Sequence, residues 1–243
     1  MKPCRLALCL AALSGPLWGS PLSGTFNLGG TITLTPTSIA WTLNTPPFTG
    51  ERSIIGPSGA GDFAALGGTG VVIRNLTSGS EPVGVAFPPQ PFISFLGAAL
   101  PDLNISFVFP GIFGSAQCAA PAAVGQTCTT APFSPFSFVN LPPPGDPQSV
   151  ADFILSGVTT DGGVWRGTFA SQFNVPYQTV LAQFAATGSV TNTFNATIRV
   201  TPSGEVAEPQ GALLLGLGLA GLGAALGRRR GQARRGERPP ERG

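Results

Sequence analysis

Two stretches of this chain alternate so regularly that each reads as one half-buried strand. From 25 to 35, Phe26, Leu28, Ile32 and Leu34 share one parity, and Asn27, Thr31, Thr33 and Thr35 share the other. From 190 to 200, Val190, Phe194, Ala196, Ile198 and Val200 face one way, and Thr191, Thr193, Asn195, Thr197 and Arg199 the other. A period of two sets successive side chains on opposite faces of a pleated strand, one toward a core and one toward water. Shorter runs predict further strands at 38–43, 70–76, 103–109, 150–157 and 164–173. The last two flank Thr159-Thr160-Asp161-Gly162-Gly163, whose Asp-Gly step favours a tight hairpin. One helix is predicted, at 176–186: Pro176 suits its first turn, and Tyr177, Val180, Leu181 and Phe184 recur on one side. The proline-rich stretches 86–92 and 140–147 predict stiff surface connections, because proline removes a ladder donor. Many short strands between Gly/Pro turns define an all-β fold, an antiparallel β-sandwich or jelly-roll-like body over 25–205.

Composition agrees and narrows the chemistry. The 243 residues include 34 Gly and 25 Pro, 42% are apolar, and 17 are Phe, enough to build a core. Only 10% are charged and none is His, which removes every mechanism and metal site that relies on imidazole. The net charge of +2 conceals a segregation. Between 21 and 207, four Arg stand against eight acids, whereas from 208 onward seven Arg stand against three. The middle is thus mildly acidic and lacks the clustered cationic face that neutralising phosphates requires, so nucleic acid is excluded as a partner of the body.

The two ends read as addresses. Met1-Lys2-Pro3-Cys4-Arg5, an apolar run from Leu6 to Leu13, and Ser14-Gly15-Pro16 have the order of a secretory signal peptide. It is assigned to 1–24, with cleavage between about 19 and 24, and implies engagement of the secretory export machinery. Toward the other end, 19 uncharged residues at 209–227 carry seven Leu, four Ala and six Gly. As a helix they would reach about 28 Å, close to the hydrocarbon thickness of a bilayer, and so predict one C-terminal transmembrane helix. Arg228, Arg229 and Arg230 follow as a cytoplasmic stop, leaving 231–243 as a basic cytoplasmic tail and the body facing outward.

Val206-Ala207-Glu208-Pro209, the Gly/Leu-rich span and the Arg cluster together resemble the PEP-CTERM sorting domain of Gram-negative bacterial exoproteins, over about 206–230. Glu208 and Pro209 match the usual Val-Pro-Glu-Pro start, and Ala207 stands where its first Pro is usual. The resemblance implies processing by exosortase, an integral-membrane enzyme, in hosts that make extracellular polysaccharide. It implies a protein anchored in the inner membrane before processing and then held at the cell surface or in the extracellular matrix, with polysaccharide as a further partner.

Export also decides the cysteines. Cys4 and Cys9 leave with the signal, so Cys118 and Cys128 remain as an even pair in an oxidising compartment and are expected to form a disulfide. With Lys2 gone as well, the mature body holds neither Lys nor His, and nucleophile activation by either base is excluded. A carboxylate pair, as in glycan hydrolysis, is the remaining enzymatic route; Asp146, Asp152 and Asp161 are its candidates, each also explained by a loop, turn or solvated role. Trp41, Trp165 and Tyr177 would stack on sugars if exposed and pack a core if not. No cofactor or metal site is expected. The reading is a non-enzymatic structural or adhesive protein of an exopolysaccharide matrix, with a carbohydrate-binding module and a carboxylate-dependent glycan hydrolase as alternatives.

Overall fold

Alternation becomes long strands where the sequence is most regular. The computed structural model describes residues 21–35, 37–42, 52–130, 134–142 and 148–203. The segment before 21, Val206–Pro209, the stretch 209–227, Arg228–Arg230, the tail and Asp146 all lie outside the described residues. Six of the seven predicted strands match to within two residues, and the seventh, 70–76, stops at Ile73. The strands are β1 (Gly24–Leu34), β2 (Ser38–Thr42), β3 (Arg52–Ile55), β4 (Ala60–Gly61), β5 (Gly70–Ile73), β6 (Leu76–Thr77) and β7 (Gln90–Phe95). They continue as β8 (Leu103–Val108), β9 (Thr127–Cys128), β10 (Ser137–Leu141), β11 (Gln148–Thr159) and β12 (Val164–Phe173); the predicted helix follows as α1 (Tyr177–Thr187), then β13 (Val190–Thr201). No helix among the described residues is long and apolar enough to cross a membrane.

The strand pairings are antiparallel and make one continuous sheet that closes on itself. Its path runs β12, β13, β1, β3, β5, β7, β8, β11, and the β11–β12 hairpin joins the last to the first. The first described strand is paired along its whole length with the last, from Gly24 opposite Val200 to Leu34 opposite Val190. The all-β antiparallel expectation therefore holds. The hairpin turn is where Asp-Gly placed it: Gly162 takes a positive φ of 90°, and Thr159 N–H donates to Gly163 O at 2.9 Å.

The wall is not uniform. β1 pairs on one edge with β4, β3 and β2 in succession, and β11 switches its edge partner from β10 to β8. A register shift at Ser156/Gly157 marks that switch. There a Cβ on Gly157 would lie 1.8 Å from Asn104 O, so no larger residue fits without moving β8.

Prolines did not keep 86–92 out of the sheet, contrary to the sequence expectation. β7 begins at Gln90 and contains Pro91, opposite Asn104, with a register shift between Pro91 and Ile93. The bulge lets the ladder tolerate a residue without an N–H, and it turns the consecutive Phe92 and Ile93 both into the core.

Rings from facing walls fill the interior. Phe169 of β12 stacks on Phe153 of β11 at 5.0 Å and neighbours Phe194, Trp41 and Phe92 within 6.4 Å. Phe26, Phe63 and Phe95 form a second group near the hairpin end. Leu22 belongs to this core although it precedes β1: it is 3% exposed, and its N–H donates to Asp161 Oδ2 at 2.7 Å. Ser23 N–H donates to Asp62 Oδ2, also at 2.7 Å. The buried Trp41 Nε1 has no hydrogen-bond partner among the described residues; the Trp41 ring packs against Phe92 and Phe169.

Because Phe169 touches every group of the central stack, Phe169→Ala is expected to cost about 3–5 kcal/mol, read as a lowered urea midpoint at unchanged slope.

Candidate functional site

The carboxylates proposed for hydrolysis do not come together. Asp152 lies on the outer face of β11, opposite Ala170 and Ser137, and partial burial raises its pKa above the ordinary value. Asp161 sits in the hairpin turn at the far end of the same strand, about 20 Å away at strand rise. Burial alone would raise the Asp161 pKa. Hydrogen bonds from the Thr159 hydroxyl and the N–H groups of Leu22, Asp161 and Gly163 outweigh that effect and hold it below the ordinary value. Asp161 thus acts as a turn and N-terminal clamp, and a two-carboxylate cleft is not formed by this pair. Among the described residues no three potential ligands gather as a metal site.

The candidate sugar platforms are packing residues. Trp41 and Trp165 are 0% and 2% exposed; Trp165 stacks on Phe92 at 5.6 Å and donates Nε1–H to Asn104 O at 2.8 Å. Tyr177 is equally buried, its hydroxyl donating to Gln117 O at 2.9 Å, and burial raises its pKa.

Tyr177 belongs to an annex built on β10, β9 and α1, with its own apolar cluster of Phe138, Phe173, Val180 and Val190. Cys118 and Cys128 are joined as expected, with Cα atoms 5.0 Å apart, and close the loop that caps the annex. Its organising residue, Asn140, carries no sequence signal. It is 1% exposed, accepts the Tyr177 N–H at 2.9 Å, and donates to Ala123 O and Gln178 Oε1 at 3.2 and 3.0 Å. One amide thereby fixes the start of α1 to the disulfide loop. The helix carries no charge at either terminal turn and no side-chain N-cap, so its position depends on this bond and on packing.

Between annex and closed sheet, where β2 and β10 have taken over the edges of β1 and β11, a cleft of about 520 Å³ opens. Leu34, Ile39, Leu76, Val108, Phe136 and Phe138 line it from the sheet, and Val180, Leu181 and Phe184 from α1. Hydroxyls rim it, including the Thr35–Ser38 pair at 2.7 Å. The one titratable side chain in this lining is Glu81, buried and held by Arg74 Nη2 at 2.9 Å and by the Thr77 N–H at 2.8 Å. Such a cleft suits apolar matter, and the one carboxylate in its lining is already paired. It is a size that ligand sites commonly have, at a barrel mouth.

No family model, no curated protein and no solved structure matches this chain. The class of protein is accordingly defined by the structure itself: a disulfide-bonded, antiparallel β body with, among the described residues, one short helix.

Replacing both Cys118 and Cys128 with Ala is expected to cost about 3 kcal/mol through restored loop entropy. Urea unfolding of the variant against the oxidised chain reads this directly, and equal midpoints would contradict it.

Proposed function

We propose that this is an exported protein, sorted through Val206-Ala207-Glu208-Pro209 and its following span, whose β body serves a structural or adhesive role in an extracellular polysaccharide matrix. The observation that carries the reading is the Cys118–Cys128 disulfide, which suits an oxidising compartment and lies in a body flanked by two address-like ends. In this reading residues 209–227 anchor the chain in the inner membrane as a helix, Arg228–Arg230 stay cytoplasmic, and an exosortase-type enzyme releases the body to the surface. The closed sheet, with rings meeting between its facing walls, is read as the sandwich-like form of the fold. Leu22 is a core residue whose N–H is clamped by Asp161, which supports a cut before Leu22 within the 19–24 window.

The rival enzyme loses support from the separation of Asp152 and Asp161. A carbohydrate-binding module based on Trp41 or Trp165 loses it from their burial.

In a host that supplies its own exosortase, surface material is expected to end within or near 206–209 by C-terminal mass spectrometry. Surface chains that always retain Arg228 to Gly243 would contradict sorting.

The cleft favours a second reading, capture of an apolar ligand beneath α1. The neutral fluorophore N-phenyl-1-naphthylamine is then expected to bind the full chain saturably, and Leu181→Trp to abolish the signal; a signal unchanged in the variant would refute it.

A further inference from the structure

The outer face of the closed sheet carries a cationic pair that no ion pair among the described residues accounts for. Arg166 of β12 and Arg199 of β13 are directly opposite one another, both exposed. Like charges in that position oppose each other and destabilise a sheet unless something compensates. Among the described residues neither arginine forms an ion pair with a carboxylate; the one ion pair there joins Arg74 to Glu81. In a body with twice as many acids as arginines, two of its four arginines therefore meet on one surface with no carboxylate partner among the described residues.

Aromatic surface adjoins them. Ser156 of β11 stands between Arg166 and Phe107 of β8, so Phe107, Ser156, Arg166 and Arg199 form one row across four neighbouring strands. At strand spacing it spans about 14 Å. Phe107 reaches this face through the register shift of β8 against β11: Ile105 lies opposite Gly157, Phe107 opposite Ser156, and Ser106 is the extra residue. Phe109 packs edge-on against Phe107 at 4.7 Å, and the Arg166 guanidinium lies over the Phe109 ring at 4.6 Å. That stacking holds the guanidinium in place and leaves its N–H fork for a ligand. Thr25 continues the row beyond Arg199 with a hydroxyl.

We infer that this row is a binding site for acidic polysaccharide, with Arg166 and Arg199 taking uronate carboxylates and the Phe107–Phe109 pair offering an apolar face to the adjoining sugar ring. Charge complementarity selects the occupant. A planar, permanently charged guanidinium pairs two parallel N–H groups with a carboxylate, and aromatic rings adjoining it suit a sugar face better than a bare ion. The inference rests on the matrix reading above and names its ligand class.

The test is retention of the full exported chain on immobilised polygalacturonate, with neutral dextran as comparison. Retention on polygalacturonate alone is expected, weakening as salt rises. Arg166→Ala and Arg199→Ala are each expected to weaken it about tenfold or more, while Arg52→Ala leaves it unchanged. Arg199→Ala should also leave Tm equal or higher, since it removes a repulsion, so a loss of binding cannot be assigned to unfolding. Retention of the double variant at the wild-type level would overturn the site, as would equal retention on dextran, no retention on either glycan, or tighter binding to duplex DNA than to polygalacturonate. Each of these leaves C-terminal processing untouched, whereas a chain that never leaves the cell contradicts export and with it the matrix ligand.

Discussion

The pairing of β1 with β13 is the constraint on which the body depends. It joins the first described strand to the last over eleven consecutive positions, and without it the ring β12, β13, β1, β3 and onward is an open sheet with two long edges. Closure removes those edges, which is a strong safeguard against aggregation for a chain with 17 Phe. It also sets the order of folding events: contacts that span about 170 residues carry a large loop-closure cost and are rewarded only after the intervening strands are in place. The Asp-Gly hairpin lowers part of that cost by bringing β11 and β12 together locally. Asp161 then connects this hairpin to the start of β1 by accepting the Leu22 N–H.

From closure follow both the interior and the exterior. Inside, the facing walls leave room for a stack of rings, and Trp41, Trp165 and Phe169 are spent there. Outside, strand registry decides which polar residues become neighbours. Where two strands trade partners, the wall opens: β1 passes to β2 and β11 to β10, and the annex held by Asn140 and the disulfide partly refills the gap. The cleft is the part of that gap that α1 leaves open.

Strands with strict alternation were legible in the sequence because one buried face dictates every second residue. β12 was read at 164–173 and β13 within a residue, and the turn between β11 and β12 was fixed by its glycines. β3 and β10 were not predicted, and β7 was missed because Pro91 argued against it; only the bulge resolves that conflict. The Cys118–Cys128 pairing was legible from the expectation of export and from the even number of cysteines it leaves. The candidate sites were not. Asn140 looks like any loop asparagine until three elements converge on it, and Asp152 and Asp161 read as a possible pair until a rigid strand separates them. The Arg166–Arg199 row depends on registry between strands more than thirty residues apart, which periodicity within one strand does not contain.

The interior thus serves packing, and the outer face of β8, β11, β12 and β13 is proposed for recognition. An amide NMR titration of the chain with galacturonate oligomers tests this division most directly. Shifts confined to the neighbourhood of Phe107, Ser156, Arg166, Arg199 and Thr25 are predicted. Shifts clustered around Val180, Leu181 and Phe184 at the cleft, or none at all, would contradict it.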